Sequence, residues 1–366
     1  MTAGLLLTVP GMITTTSRWL FSLCALMACA LLAAGVAPAG DVAKGSVAER
    51  EMRLLAEQFP GRMAGTAQEL AAAEYLLERF NDMGYEARLQ GFPVRYSFHP
   101  AGGQTANERD ARSANVIAEL PGGGDRLIII GAHYDTAVAR NAGQVEAGIG
   151  GRALQGVDDN ASGVGVVLEL AQRLAGTRPE HTIRFMAFGA EEVGLLGARH
   201  AVGALDEDER GRVDLMINID SIITGDALYV HAGPATYAAD PAAGAAREQA
   251  LQMAAELGID LQTNPGLNED YPAGTGCCSD QMAFDEAGIA VVNFEATNWR
   301  LGDQDGYQQT AVSEAFPGGD SWHSVERDSI EHLEAHLPKG RLSERPAQMV
   351  SLLLPLLRTW SGMDTD

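Results

Sequence analysis

The sequence predicts an α/β fold: a three-layer sandwich with a mostly parallel, mixed central sheet and helices on both faces. β-like runs alternate with helical stretches over most of the chain, which is typical of parallel strands joined by crossover helices. The run 127–130 is entirely apolar and is followed by a glycine, as expected of a central strand buried on both faces. Polar segments follow several of these strands, at the end where α/β sheets bind their ligands.

The individual elements follow from the spacing of apolar residues. Helical spacing predicts two helices ahead of the sheet, at 47–59 and 66–83. The predicted strands are 87–96, 115–120, 127–130, 182–188, 214–219 and 289–294. The other predicted helices are 162–174, 195–202, 241–257, 281–287 and a long one from about residue 345. The Gly-rich segment 143–156 has neither a GxGxxG pattern nor a phosphate-loop ending, so we interpret it as a surface loop near the site.

The amino-terminal segment has the pattern of a secretory signal peptide. It contains one basic residue, Arg18, no acidic residue, an apolar run over 19–36 and a small-x-small sequence at 37–39. Cleavage there would leave residues 40–366, which we interpret as a single catalytic domain in the periplasm or outside the cell. Two alternatives remain open, because about 18 apolar residues can also span a bilayer as a retained anchor, and Cys29 could carry a lipid.

Charge and cysteine content limit the classes of partner and scaffold. The formal net charge is −23 and becomes more negative when Arg18 is removed with the signal, which argues against binding to nucleic acid or to anionic lipid. No stable membrane association is expected of the mature chain. Its only cysteines are the neighbours Cys277 and Cys278, which are either two buried thiols or a vicinal bridge. The fold must therefore depend on its core and not on disulfides.

Two segments, one after a predicted strand and one before a predicted helix, contain the first candidate ligands. His133 comes after the apolar strand, and Asp135 lies where a carboxylate could orient the imidazole of a metal ligand. Asp158 and Asp159 open a turn that leads directly into a helix. A lone His after a strand is more often structural, and a helix cap would explain one acidic residue. The His-x-Asp sequence and the paired Asp together favour a metal site.

Three further positions extend this set. Glu191 and Glu192 lie in a Gly-containing turn after a strand. Adjacent carboxylates there can have different roles, one binding a metal and the other facing a metal-bound water, although a solvated Glu pair would have the same sequence. Asp220 closes an apolar strand, which favours function, whereas His323 is uninformative by itself. The set supplies two imidazoles and three carboxylates with one Glu to spare, which suits two borderline-soft divalent ions sharing an Asp. Two such ions, about 3.5–4 Å apart, can activate one water for attack on a carbonyl.

In these motifs the chain resembles the M28 family of co-catalytic zinc aminopeptidases. The ordered motifs are His133-x-Asp135, Asp158-Asp159-Asn160-Ala161-Ser162-Gly163, Glu191-Glu192-x-Gly194-Leu195, Asp220 and His323. The resemblance implies a zinc-exopeptidase fold of the phosphorylase/hydrolase-like type and two Zn2+ ions. It implies His133 and Asp220 on one ion, Glu192 and His323 on the other, and Asp159 bridging them. Glu191 would be the general base, and Asp135 the partner that orients His133.

The resemblance also implies the activity, hydrolysis of the amino-terminal residue of a peptide or protein. Glu191 would take a proton from the attacking water and return it to the leaving amine. Segments without a metal ligand, such as 59–63, 264–268 and 274–278, resemble a periplasmic member that trims amino-terminal residues, notably Arg, from exported proteins. The free amine of the substrate would be held by carboxylates near the metals and by Glu295. A guanidinium side chain would need a further acid, for which Asp303 and Asp305 are candidates, although a solvated acidic loop would have the same sequence.

The chain departs from the family at two positions. Many members have His where this chain has Gln281, and some have Tyr where it has Trp322. An indole N–H can donate a hydrogen bond but cannot ionise, so the oxyanion-stabilising role of that Tyr is open here. Tyr307 and Tyr271 are candidates to replace it.

Three other functions are weighed against the aminopeptidase interpretation. A single-zinc acyltransferase such as glutaminyl cyclase shares the fold, but this chain keeps both His positions and the Glu pair. A carboxypeptidase would need a cationic pocket, and no basic cluster lies near the motifs. A non-catalytic binding domain usually loses metal ligands, whereas every expected position is filled here.

Overall fold

One eight-stranded mixed sheet organises the computed structural model, which describes residues 42–103, 105–266, 271–301, 312–319 and 321–363. Its strands are β1 (Arg88–Phe98), β2 (Asn107–Leu120), β3 (Leu127–His133), β4 (Thr182–Phe188), β5 (Val213–Ile219), β6 (Ala227–Ala232), β7 (Leu261–Gln262) and β8 (Val291–Thr297). The spatial order is β1-β2-β4-β3-β5-β8-β6-β7. The four central strands, β4, β3, β5 and β8, are mutually parallel, and antiparallel pairs lie on both sides of them. The predicted α/β fold with a mostly parallel, mixed sheet is confirmed.

Helices cover both faces of this sheet. They are α1 (Ser46–Gln58), α2 (Ala67–Asp82), α3 (Ala142–Glu146), α4 (Gly163–Leu174), α5 (Leu196–Ala204), α6 (Glu207–Arg212), α7 (Pro234–Ala239), α8 (Ala245–Leu257), α9 (Gln281–Glu286), α10 (Ile330–His336) and α11 (Arg341–Trp360). The apolar residues of α1, α2, α4, α8 and α11 join one core cluster, and those of α5 and α9 join another on the opposite face. Every residue of β3 is buried between the two layers, as its apolar sequence predicts.

Parallel pairing places the functional segments at one edge of the sheet. His133, the last residue of β3, pairs with Phe188, the last residue of β4. The end of β5 lies on the other side of β3, with Asn218 paired to Gly131. The segments that follow these strands therefore emerge side by side, which is the general reason why ligands of parallel sheets come from the carboxyl ends of strands.

The structure differs from the predicted elements mainly at the sheet margins. Strand β2 begins at Asn107 and not at residue 115, because its charged first half pairs with β1. That half was not predicted, since it has no hydrophobic alternation. Strands β6 and β7 and the short helices α3, α6, α7 and α10 were not predicted, and each of these helices is only five to seven residues long. The predicted helix 241–257 divides into a 3-10 turn, Pro241–Gly244, followed by α8.

The last helix, α11, begins at Arg341 and not near residue 345. In the structure Pro346 lies inside the helix, and the Arg341 guanidinium binds the carbonyl of Gly225 at 2.8 Å. This tertiary contact holds a first turn that the sequence pattern does not reveal.

The predicted signal, residues 1–39, lies outside the described residues. Within the part of the chain that the structure describes, no helix has both the length and the apolar character needed to cross a membrane. Cys277 and Cys278, for which the sequence left two states open, form a disulfide in the structure.

Candidate metal centre

The candidate centre is built from two groups of side chains that share one carboxylate. Nε2 of His133 lies 3.0 Å from Oδ1 of Asp159 and 3.4 Å from Oδ1 of Asp220. Nε2 of His323 lies 2.9 Å from Oδ2 of Asp159 and 3.1 Å from Oε2 of Glu192. Each oxygen of Asp159 thus faces a different imidazole, as a carboxylate that bridges two cations would.

These distances suit a common cation in each group. Two ligand atoms about 2.0–2.1 Å from a tetrahedral zinc lie roughly 3.3 Å apart, and the four distances above range from 2.9 to 3.4 Å. Oε1 of Glu192 and both carboxylate oxygens of Asp280 are buried and have no hydrogen-bond partner among the described residues. Carboxylates and imidazoles are donors that zinc accepts, so the residues present fit divalent ions of this kind.

The charges of the surroundings also favour cations. Buried carboxylates crowd this edge of the sheet, namely Asp135, Asp158, Asp159, Asp220, Asp280 and Asp328. Burial works to lower the pKa of His133 and His323, but the facing carboxylates outweigh it and hold the pKa of both imidazoles well above the usual value. Burial likewise works to raise the pKa of Asp159, yet the two imidazoles keep it below its usual value. The acidic surroundings therefore favour positive charge at the centre.

Glu191 lies beside both groups without joining either. It is absent from the two sets of side chains whose ligand atoms converge, and among the described residues its carboxylate makes no hydrogen bond or ion pair. Burial raises the pKa of the Glu191 carboxyl well above its usual value, and Glu192, Asp280 and Asp220 raise it further against the opposing effect of His133. A cation at the centre would oppose this rise and favour the ionised base.

Asp135 holds the turn that carries the two glutamates. Its carboxylate accepts hydrogen bonds from the backbone N–H groups of Glu191 at 2.9 Å and Glu192 at 3.3 Å. Its Oδ1 also lies 3.6 Å from Nδ1 of His133. One fully buried carboxylate therefore links the first imidazole to the Glu pair.

Residues of the turn Val157–Ser162 hold the neighbouring segments, and Asn160 also caps α4 by accepting from the N–H of Gly163 at 2.9 Å. The carboxylate of Asp158 accepts from the backbone N–H groups of Ile223 at 2.7 Å and Thr224 at 3.1 Å. Asn160 donates to the carbonyl of Ile219 at 2.9 Å. A Cβ on Gly163 would approach that carbonyl oxygen to 2.3 Å, which only glycine avoids. The capping interpretation of Asp158 is therefore wrong, because its acceptors serve the segment after β5.

Left-handed backbone is concentrated around this centre. In the described ranges the non-glycine residues with positive φ are Ala190, Leu195, Ser221 and His323, with φ values between 51° and 61°. Three of them adjoin or are residues of the candidate centre. Such conformations cost free energy and persist where surrounding contacts impose them, often at functional sites.

Arg62 is a buried cation next to the carboxylates of the centre. Its side chain is fully buried, and it donates to the carbonyls of Tyr134, Gln155 and Gly156, the last at 2.8 Å. Burial lowers the pKa of the guanidinium to about 10, which still leaves it charged at neutral pH. Arg62 thus joins the segment after β3 to the turn that carries Asp159.

Replacing Arg62 by Met should destabilise the protein by about 3–5 kcal/mol, the usual effect of removing one partner from a buried charged network. Three carbonyls would lose their donor, and the buried carboxylates would lose a nearby cation. Urea unfolding of the metal-free variant and wild type measures the difference. A loss near 1 kcal/mol, within the typical range of single substitutions, would contradict this role for Arg62.

Of the four predicted substrate-binding residues, only Glu295 lies within the described residues. Glu295 is fully buried, with Oε1 3.1 Å from Nε2 of His231, and within the described ranges its other oxygen has no hydrogen-bond partner. Glu295 lies beside Asp220, because the N–H of Asp220 donates to the carbonyl of Phe294, the residue before Glu295 on β8. The remaining candidates, Asp303, Asp305 and Tyr307, lie outside the described residues.

Two aromatic residues are relevant to the oxyanion-stabilising role: Trp322, which occupies the Tyr position, and Tyr271, a candidate to replace that Tyr. Trp322 stacks on the imidazole of His323, with ring centroids 4.7 Å apart. The Tyr271 hydroxyl lies 4.0 Å from Sγ of Cys278. Gln281, where many relatives have His, lies buried with its Oε1 3.0 Å from Nδ2 of Asn218.

Sequence reasoning missed Arg62, Asp328 and the role of Asp158. Arg62 lies in the segment 59–63, which was singled out without a role, and no local pattern pointed to Asp328. Their partners are backbone groups far along the chain, and such contacts leave no periodic signal in a sequence.

Known proteins resemble this chain in sequence and in fold. Residues 115–340 match the model of peptidase family M28. The alkaline phosphatase isozyme conversion protein of Escherichia coli (strain K12) is 43% identical over 311 residues, covering 85% of this chain and 89% of that protein. A zinc aminopeptidase from Bacillus subtilis has a similar fold, with a TM-score of 0.62 at 19% identity over 87% of this chain and 95% of that chain. Glutaminyl cyclase of Porphyromonas gingivalis gives 0.59 at 19% identity, covering 87% and 99%.

Proposed function

Since this chain belongs to peptidase family M28 and is a metallo-aminopeptidase, we propose that it is an exported di-zinc enzyme that removes residues from unblocked amino termini, with a preference for Arg. The observation that carries the proposal is the pair of ligand groups that share Asp159, each with one imidazole and one further carboxylate. The substrates are peptides or exported proteins. Export is supported by the signal pattern of residues 1–39.

One zinc would be held by His133 and Asp220 and the other by Glu192 and His323, with Asp159 common to both. Two zinc ions in these positions would polarise the scissile carbonyl and make water more acidic. The zinc aminopeptidase from Bacillus subtilis, which shares the fold, is consistent with this choice of metal. Asp135 orients the first imidazole, since its carboxylate lies beside Nδ1 of His133.

Glu191 is the general base in this mechanism. Its carboxylate is unbonded and adjoins both ligand groups, so it takes a proton from the attacking water and later gives it to the leaving amine. Asp135 holds the Glu191 backbone through the 2.9 Å hydrogen bond, which fixes the start of that side chain. Proton transfer therefore needs no large movement of the turn.

The free α-ammonium group of the substrate is recognised by carboxylates at the edge of the centre, among them Glu295. The support is its place one strand from Asp220 and its unpartnered oxygen. His231 holds the other oxygen. Because Glu295 is fully buried, the substrate amine can reach its carboxylate only if the residues that cover it move when substrate binds.

The preference for Arg rests on the resemblance to the periplasmic member and on the acidic segment that contains Asp303 and Asp305. Either carboxylate would pair with a guanidinium group. Tyr307 or Tyr271 would take the oxyanion-stabilising role, since Trp322 cannot ionise.

Glutaminyl-cyclase-like acyl transfer is the second candidate, favoured by the similar fold of the Porphyromonas gingivalis enzyme. It would use a single zinc and would release a cyclised amino-terminal Gln. The presence of two complete ligand groups favours the hydrolase.

Purified protein should release the nitroaniline from unblocked Arg p-nitroanilide faster than from the Lys, Leu and Gln compounds. Blocking the amine should lower kcat/KM by about 30- to 5,000-fold, because a buried charge pair that loses one partner costs about 2–5 kcal/mol and each 1.36 kcal/mol is tenfold in rate. Activity should disappear on chelation and return with added zinc. Equal cleavage of blocked substrates would refute the terminus assignment, and cyclisation of Gln substrates would favour the second candidate.

A further inference from the structure

We infer that Asp328 is a positioning residue of the candidate metal centre, which fixes the shared carboxylate of Asp159 relative to His323 through the backbone. The inference deepens the proposed function and rests on it, since it concerns how the ligands are held for zinc. Asp328 belongs to none of the ligand groups, and no motif in the sequence points to it.

Hydrogen bonds tie Asp328 directly to the turn of the shared ligand. Its Oδ1 accepts from the N–H of Asp158 at 2.7 Å, and its Oδ2 accepts from the N–H of Asp159 at 3.2 Å. Asp328 has no solvent exposure, so neither backbone group has water as an alternative partner. A bidentate contact to two successive N–H groups restricts both the position and the rotation of the peptide unit between them.

The same residue is joined to the segment of His323. The N–H of Asp328 donates to the carbonyl of Ser324 at 3.0 Å, and Ser324 directly follows the imidazole ligand. Asp328 therefore connects two ligands whose segments lie about 170 residues apart in the chain. Any shift of its carboxylate would change the spacing between Oδ2 of Asp159 and Nε2 of His323, which is 2.9 Å.

Helix capping does not account for Asp328. The following helix, α10, has Ser329 as its N-cap, and Ser329 Oγ accepts from the N–H of His332. Placing a carboxylate here is also unfavourable by itself, because Asp158 and Asp159 lie next to it and burial raises its pKa. A neutral acceptor would avoid that repulsion but could not bind both N–H groups through two oxygens. The benefit must lie in the geometry of the turn.

A control residue with the same kind of contact exists away from the centre. Asp285 is 4% exposed, and its carboxylate accepts from the N–H groups of Ala235 and Thr236, both at 2.8 Å. Substitution of Asp285 thus removes comparable hydrogen bonds without touching a ligand segment. A structural role alone predicts the same behaviour for both sites.

The experiment measures zinc affinity by dye competition, together with the Tm of the metal-free protein, for Asp328→Asn and Asp285→Asn. Asn keeps one acceptor and turns an N–H donor toward the other backbone N–H. We expect Asp328→Asn to weaken zinc binding by about 10–100-fold, the usual effect of losing a residue that orients a ligand. Asp285→Asn should lower the Tm and leave zinc affinity unchanged. Asp328→Glu, which retains both oxygens, should recover part of the affinity and serves in the comparison if Asp328→Asn does not fold.

The outcomes distinguish a failure of the positioning role of Asp328 from a failure of the proposed function. Unchanged zinc affinity in Asp328→Asn, with a Tm loss like that of Asp285→Asn, would overturn the positioning role and leave the proposed function intact. Wild-type protein that binds no zinc would overturn the proposed function and this inference with it. Weakened affinity in Asp328→Asn alone would support both.

Discussion

Glu191→Gln should lower kcat by about 10²–10⁴-fold, the range expected for loss of a general base, while the protein keeps its zinc. The reason is the separation of roles between adjacent glutamates. Oε2 of Glu192 lies 3.1 Å from Nε2 of His323, whereas the Glu191 carboxylate has no partner among the described side chains. Gln preserves the shape of Glu191 but cannot take a proton from water, so substrate binding and metal content should survive.

The neighbouring residue provides the control for this variant. Glu192→Gln replaces a proposed ligand with a weaker donor, so it should lower zinc content or affinity as well as activity. Both backbone N–H groups are held by Asp135, so the turn is anchored equally in the two variants. Steady-state kinetics with metal analysis on each protein gives the comparison. Loss of zinc from Glu191→Gln would show that Glu191 is a ligand and would remove it from the role of base.

Asp159→Ala should remove both of the proposed zinc ions, and Asp220→Ala only one. Asp159 is the sole residue common to the two groups of convergent ligand atoms, and its two oxygens face different imidazoles. Its loss leaves each group with one imidazole and one carboxylate, which is too few donors for a tight zinc site. Asp220 contacts His133 and leaves the group around His323 complete.

Metal analysis after dialysis and the Tm with added zinc test this expectation. A ligand present at 100 times its Kd stabilises the folded state by about 2.7 kcal/mol, so wild type should show a large increase in Tm on addition of zinc. Asp159→Ala should show almost none, and Asp220→Ala an intermediate shift. Retention of two ions by Asp159→Ala would rule out the bridging role, and equal metal loss in both variants would indicate that the two sites are interdependent.

The central part of the fold was predictable because its signals are local. Residues 127–130 are uniformly apolar, and the strand they form is buried along its whole length. The amphipathic helices α1 and α2 agree with the predicted ranges to within a few residues. The charged first half of β2 carried no such signal, because its pairing with β1 comes from the partner strand and not from its own composition.

The candidate site was predictable to a similar extent. His133, Glu192 and Asp220, which follow predicted strands, lie together in the structure with Asp159, from the turn before a predicted helix, and His323, which was uninformative by itself. Strand ends were informative because parallel strands deliver their following residues to one edge. The orienting residues were not accessible in this way, since Arg62 and Asp328 act on backbone groups of distant segments.

The sequence by itself determined the α/β class, the order of the central strands along the chain and the identities of the candidate ligands, because hydrophobic spacing and chemically distinctive side chains are local properties. Only the tertiary structure decided how Asp159 divides its oxygens between two imidazoles. It also decided which buried carboxylates accept from backbone N–H groups and do not join the ligand groups, and which cation lies next to the centre. Those features depend on distances between segments far apart in the chain, and such distances are set when the helices pack on the sheet.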